Sequence, residues 1–150
     1  MTSYERQATI RWLTDPPAGV PRLTVGSGSL SIPLSVDTEA THPMAASPAE
    51  LLAGAIGSIF AWFTANELLD AGTRAHELVA DVNLTVSDDA AGAGSLALSA
   101  IDYTLFGRVP GIDQERLQAV ARVGMSRCLE TLGLHSERLT VTVEAVLEGG

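Results

Sequence analysis

The sequence predicts an α+β domain, and three observations carry that prediction. Two segments repeat apolar residues at three- and four-residue steps, the signature of a helix with a buried side. Six others alternate apolar and polar residues or form short β-rich runs. Pro and Gly clusters separate the segments, giving the order β-β-β-α-β-β-α-β with antiparallel pairing around two helices.

The first three strands are short: Gln7–Leu13, Arg22–Gly26 and Leu30–Val36. Asp15-Pro-Pro-Ala-Gly and Gly26-Ser-Gly-Ser supply turn residues between them, so a meander is expected. Asp37 to Ala46 is polar, contains Pro43, and reads as a loop.

Ser47-Pro48-Ala49-Glu50 is a capping-box pattern with proline at the first helical position. Leu52, Ala55, Ile56, Ile59, Phe60 and Phe63 then recur at helical spacing, and Gly72 is a natural stop. The helix of about 24 residues is apolar over much of its circumference, as central helices are. Its Ala and Gly residues allow a second helix to come close.

From Leu78 to Val86 the period becomes two, and Asp88 to Gly94 reads as a turn. The next strand places Leu96, Leu98 and Ala100 on one face, then Ile101, Tyr103 and Leu105. That slip of one residue near Ser99–Ile101 predicts a bulge. Pro110-Gly111 breaks the chain, and Asp113 caps a second helix. Its apolar face carries Leu117, Val120, Gly124, Cys128 and Leu132, and Gly133 ends it. Leu139 to Leu147 alternates as a last strand.

The 150 residues fit one domain, residues 1–150. They hold 46% apolar residues but only 18% charged ones, below the roughly 25% of ordinary soluble domains. Apolar surface covered by a second copy of the chain is the expected consequence. All 9 basic residues are arginines set against 18 acidic ones, a net charge of −9 without a basic stripe. That balance argues against nucleic acid, whose binding rests on phosphate neutralisation. The apolar run Leu51–Phe63 is too short to span a bilayer, so no membrane is expected. No signal peptide is read at the start. Cys128 is the only cysteine, which excludes an intrachain disulfide and suggests a reducing cytoplasm.

The run SPAELLAGAIGSIF from Ser47 to Phe60, then VPGID from Val109 to Asp113, then Cys128 on the second helix, resembles the OsmC/Ohr superfamily. This family includes osmotically inducible proteins and organic hydroperoxide reductases. The likeness extends from about Gln7 to Leu147. It implies a stress-response role and an intertwined homodimer with the long helices central and a site at the subunit interface. It also implies a peroxidatic thiolate midway along the first helix and a carboxylate just after the helix-starting proline. An arginine from the N-terminal strands and a resolving cysteine on the second helix complete the family's peroxidase site.

Carried onto this chain, the pattern loses most of its chemistry. The nucleophile position is Ile59 and the carboxylate position is Ala49; Glu50 lies about 100° further round the helix. The arginine would fall near Gly19, and Arg22 is the nearest substitute. Cys128 alone falls where the family has a functional residue, the resolving one. A resolving thiol without a sulfenic acid partner cannot run a two-cysteine cycle.

Each candidate also has an ordinary explanation. Glu50 suits the capping box, Arg22 a solvated strand, and Cys128 a small buried hydrophobe. His42 lies in the loop leading into the first helix, and His76 and His135 stand far from it, without metal-ligand spacing. No metal or cofactor is expected. The expected ligand contacts are Arg22, His42, Ile59, Phe60 and Phe63, around a small apolar molecule or a hydroperoxide.

Three functions follow as expectations: a divergent binder of a small apolar ligand, a thiol-dependent hydroperoxide reductase using Cys128 alone, or a regulatory dimer scaffold.

Overall fold

The computed structural model describes residues 8–11, 22–25, 31–33, 46–88, 96–134 and 137–149. They belong to two compact units, Met1–Leu52 and Ala53–Gly150.

In the first unit, β1 (Ala8–Arg11), β2 (Arg22–Val25) and β3 (Ser31–Pro33) form an antiparallel sheet in sequence order. The expected meander is there, with Ala8 opposite Val25 and Arg22 opposite Pro33.

Helix α1 (Pro48–Asp70) begins where its capping box predicts. The Glu50 carboxylate accepts the Ser47 N–H at 2.6 Å, and the Ser47 hydroxyl accepts the Glu50 N–H at 3.1 Å. Two N–H groups that the helix itself cannot satisfy are thereby paired. At the other end Gly72 takes φ +80°, and the Thr73 N–H reaches back to Leu68 O at 2.9 Å. That is a left-handed cap, which a side chain would strain.

The second unit is built on β4 (Glu77–Asp88), β5 (Leu96–Arg108), α2 (Gln114–Leu132) and β6 (Thr140–Leu147). Strands β4 and β5 pair antiparallel. Thr85 faces Ala100 while Val86 faces Leu98, so Ser99 is the extra residue of the expected bulge. Its hydroxyl donates to Thr85 O at 3.1 Å. The bulge lets Leu98 and Ile101, an odd number of residues apart, both pack on the core. The turn expected over Asp88–Gly94 lies outside the described residues beyond Asp88.

One expectation needs correction. Strand β6 pairs with β5 in parallel, so the β4-β5-β6 sheet is mixed and not wholly antiparallel. The cause is α2, which carries the chain back along the sheet before β6 starts. A strand entered through such a crossover runs in the direction of the one before it.

Helix α2 is capped by Asp113, whose carboxylate accepts the Arg116 N–H at 2.8 Å, and closes on Gly133 at φ +65°. Its buried residues Leu117, Val120, Ala121, Gly124 and Cys128 share one face. They join Ile56, Phe60 and Leu68 of α1 and Ile101, Tyr103 and Leu105 of β5 in one core. Each large side chain there contributes about 1.5–3 kcal/mol of burial. The run Leu51–Phe63, expected to be too short for a bilayer, is part of a longer one: over Ala49–Asp70 α1 is long and apolar enough to cross a membrane, with mean hydropathy 1.3. Its residues Ile56, Phe60 and Leu68 belong to this core, and Gly57 brings the helix so near β4 that a Cβ there would stand 2.9 Å from Val82 Cγ2.

Candidate functional site

Cys128 sits on α2 one turn beyond Gly124, where α2 lies directly against Thr64 of α1. That approach brings the sulfur to the backbone of α1, where the thiol donates to Ile56 O at 3.6 Å. The Tyr103 hydroxyl of β5 lies 3.8 Å from the same sulfur. With the thiol proton engaged on Ile56 O, the phenol is the donor to sulfur. Phe60 completes the enclosure, its ring centroid 4.6 Å from that of Tyr103. Thr64 turns its hydroxyl back onto Phe60 O at 2.9 Å, so this polar group adds no unpaired atom to the core.

Cys128, Tyr103, Phe60 and Ile56 are all within 1% of complete burial. Burial pushes the Cys128 thiol pKa above its ordinary value, and the Tyr103 hydrogen bond offsets only part of that. Burial also pushes the Tyr103 phenol up, and the neighbouring sulfur adds to the shift. Both groups are therefore neutral at physiological pH. The cation nearest in sequence, Arg127, pairs with Glu67 of α1 at 2.6 Å and is not turned to the sulfur. A thiol so placed is a weak hydrogen-bond donor and a packing group; a nucleophile needs exposure and a stabilised thiolate.

The other expected site residues are dispersed. Ile59 and Phe63 are half-buried on α1 and pack against the core. Phe60, expected to contact a ligand, is fully buried within the core. Ala49 is exposed beside Glu50, whose carboxylate accepts the Ser47 N–H and is held below its ordinary pKa by hydrogen bonding from the Ser47 backbone and side chain. Arg22 lies on β2, and its side chain lies outside what the structure describes, as does the whole of His42. Among the described residues no three metal-ligating side chains gather.

Two grooves open on the second unit away from Cys128. One of about 330 Å³ runs between the end of α1 and the start of α2, past Glu67, Asp70 and Arg116. The other, about 370 Å³, is bounded by His76, Arg108, Pro110 and Leu147. Reading the sequence alone did not single out Tyr103. Its one available signal is that it is the polar member of the inward stripe Ile101, Tyr103, Leu105.

No known family model matches this sequence, and no curated protein matches it. Solved structures do. An OsmC-like protein of Mycoplasma pneumoniae superposes with a TM-score of 0.74 at 13% identity, over 99% of both chains. The organic hydroperoxide resistance protein OhrB of Bacillus subtilis gives 0.71 at 15% identity, over 95% of this chain and 98% of its own. The organic hydroperoxide resistance protein OsmC of Legionella pneumophila gives 0.72 at 12%, over 97% and 98%. The α+β architecture built here is thus the OsmC/Ohr fold, as the sequence resemblance implied.

Proposed function

We propose that this chain is a homodimeric OsmC/Ohr-fold protein that binds a small apolar molecule at its subunit interface and does not reduce hydroperoxides by a two-cysteine cycle. The observation that carries the loss of chemistry is the state of Cys128: the only sulfhydryl, fully buried, protonated, and hydrogen-bonded to Ile56 O. Ile59 supplies an apolar side chain at the position where the resemblance places the attacking sulfur.

The assembly is supported by what a single chain leaves bare. Leu52, Trp62 and Leu69 along α1 are 48%, 61% and 55% exposed. An apolar stripe of that kind on one helix is the sort of surface that oligomers cover. Half-buried Ile59 and Phe63 on the same helix are the side chains a ligand at that surface would meet.

The test combines activity with binding. The protein is given an organic hydroperoxide and a dithiol, its intact mass is read afterwards, and an environment-sensitive apolar dye is titrated. The expected result is no turnover, no +16 adduct at Cys128, and saturable dye binding that Ile59→Glu abolishes. Turnover lost in Cys128→Ser would instead establish a one-cysteine reductase. Absence of both turnover and dye binding would leave a dimer scaffold.

A further inference from the structure

Strand β6 lies at the edge of its sheet, and an edge strand presents unpaired N–H and C=O groups that a strand from another molecule can join. Its sequence, TVTVEAVL, invites that: it is β-branched and has no proline or lysine. Yet its outer row is occupied by side chains of α2. The Gln118 amide donates to Val143 O at 3.0 Å and accepts the Ala145 N–H at 2.8 Å. The Gln114 amide donates to Ala145 O at 2.5 Å and accepts the Leu147 N–H at 2.7 Å.

Each glutamine thus gives a proton to one β6 carbonyl and takes one from the N–H two residues on. A residue of a neighbouring parallel strand bonds its partner in that same pattern. The spacing explains how a helix can do it. Four helical residues advance about 6 Å, and two strand residues advance about 6.6 Å. Side chains at i and i+4 therefore keep step with alternate residues of the strand. The primary amide is the side-chain group that serves, since a carboxylate only accepts and an ammonium only donates.

We propose that Gln114 and Gln118 act together as a surrogate strand that closes the β6 edge against the β6 strand of a second copy. Association of this protein is thereby steered to other surfaces, and edge-to-edge growth of the β4-β5-β6 sheet is blocked.

The test is the Gln114→Met/Gln118→Met double variant, which keeps side-chain length and helix propensity but removes every amide contact. Amide hydrogen exchange and sedimentation velocity are measured over a range of protein concentrations. The expected result has two parts. Exchange at the Ala145 and Leu147 N–H groups rises tenfold or so, the scale set by losing one hydrogen bond each. Species larger than the wild-type assembly also grow with concentration, with Val143 and Ala145 in their contacts. Faster exchange without larger species would overturn the proposal, leaving the glutamines as ties between helix and strand. Unchanged exchange would overturn it too. If the double variant does not fold, Gln118→Met, which keeps the Gln114 contacts, is put through the same measurements. There, faster Ala145 exchange without association counts against the proposal, and faster exchange with association supports it.

Discussion

Gly124 of α2 lies flush against Thr64 of α1. A Cβ at position 124 would overlap the Thr64 hydroxyl and stand 3.0 Å from the Thr64 N and 3.1 Å from its Cα. Two of those three atoms are backbone and cannot turn aside. Gly124→Ala therefore forces the helices apart, and a destabilisation of about 1–3 kcal/mol is expected from urea denaturation. Adding Thr64→Ala removes the hydroxyl and γ-methyl but neither backbone contact, and should restore part of the loss. Full restoration would mean that the backbone contacts are looser than this geometry.

The enclosure of Cys128 sets its reactivity. A thiol with no exposed surface reacts only when the protein opens, so alkylation at neutral pH should be slow and should accelerate sharply in denaturant. Cys128→Ser keeps a donor for Ile56 O and should fold; Cys128→Leu adds bulk to a filled core and should cost about 1–3 kcal/mol. Rapid labelling of the folded protein would contradict the buried placement.

The same enclosure makes stability depend on alkaline pH. Cys128 and Tyr103 both hold their protons more tightly folded than their ordinary values of 9.0 and 10.0. Such groups stabilise the fold fully below the unfolded-state pKa, and that contribution is lost as pH rises through the folded one. Stability should accordingly be insensitive to these groups near neutrality and decline from about pH 9 upward, where the unfolded thiol starts to ionise. Urea midpoints between pH 7 and 10.5 provide the check. Tyr103→Phe should flatten the upper part of the decline, because it removes the phenol and leaves the thiol.

Covering of α1 by a second chain predicts a particle of twice 15.6 kDa in sedimentation equilibrium. Trp62→Glu together with Leu69→Glu places charge on two of the exposed apolar positions. It should weaken association at least tenfold, with helical content retained. A variant that stays a dimer would move the interface away from that stripe.

Local chemistry made much of this legible beforehand. The Ser47–Glu50 box, the Asp113 cap, the Gly72 and Gly133 stops and the Ser99 bulge all declare themselves in a few adjacent residues. The direction of β6 did not, because alternation of Val141, Val143 and Ala145 is the same in parallel and antiparallel strands. The partners of Cys128 were hidden for a related reason. Ile56 and Tyr103 lie 72 and 25 positions away, and only the register of two helices on a sheet brings them to one sulfur. The sequence did suggest that Cys128 would be a small buried hydrophobe, and the structure supplies the hydrogen bonds that make it so.

Trp62 gives the protein a built-in optical gauge. It is one of only two tryptophans, its ring centroid lies 4.9 Å from that of Phe63, and in the single chain it is largely bare to solvent. Indole emission moves to shorter wavelength when water is excluded. The proposed dimer dissociating on dilution, or the proposed apolar guest arriving beside Phe63, would thus be followed by intrinsic fluorescence, with Trp62→Phe as the blank and no label attached.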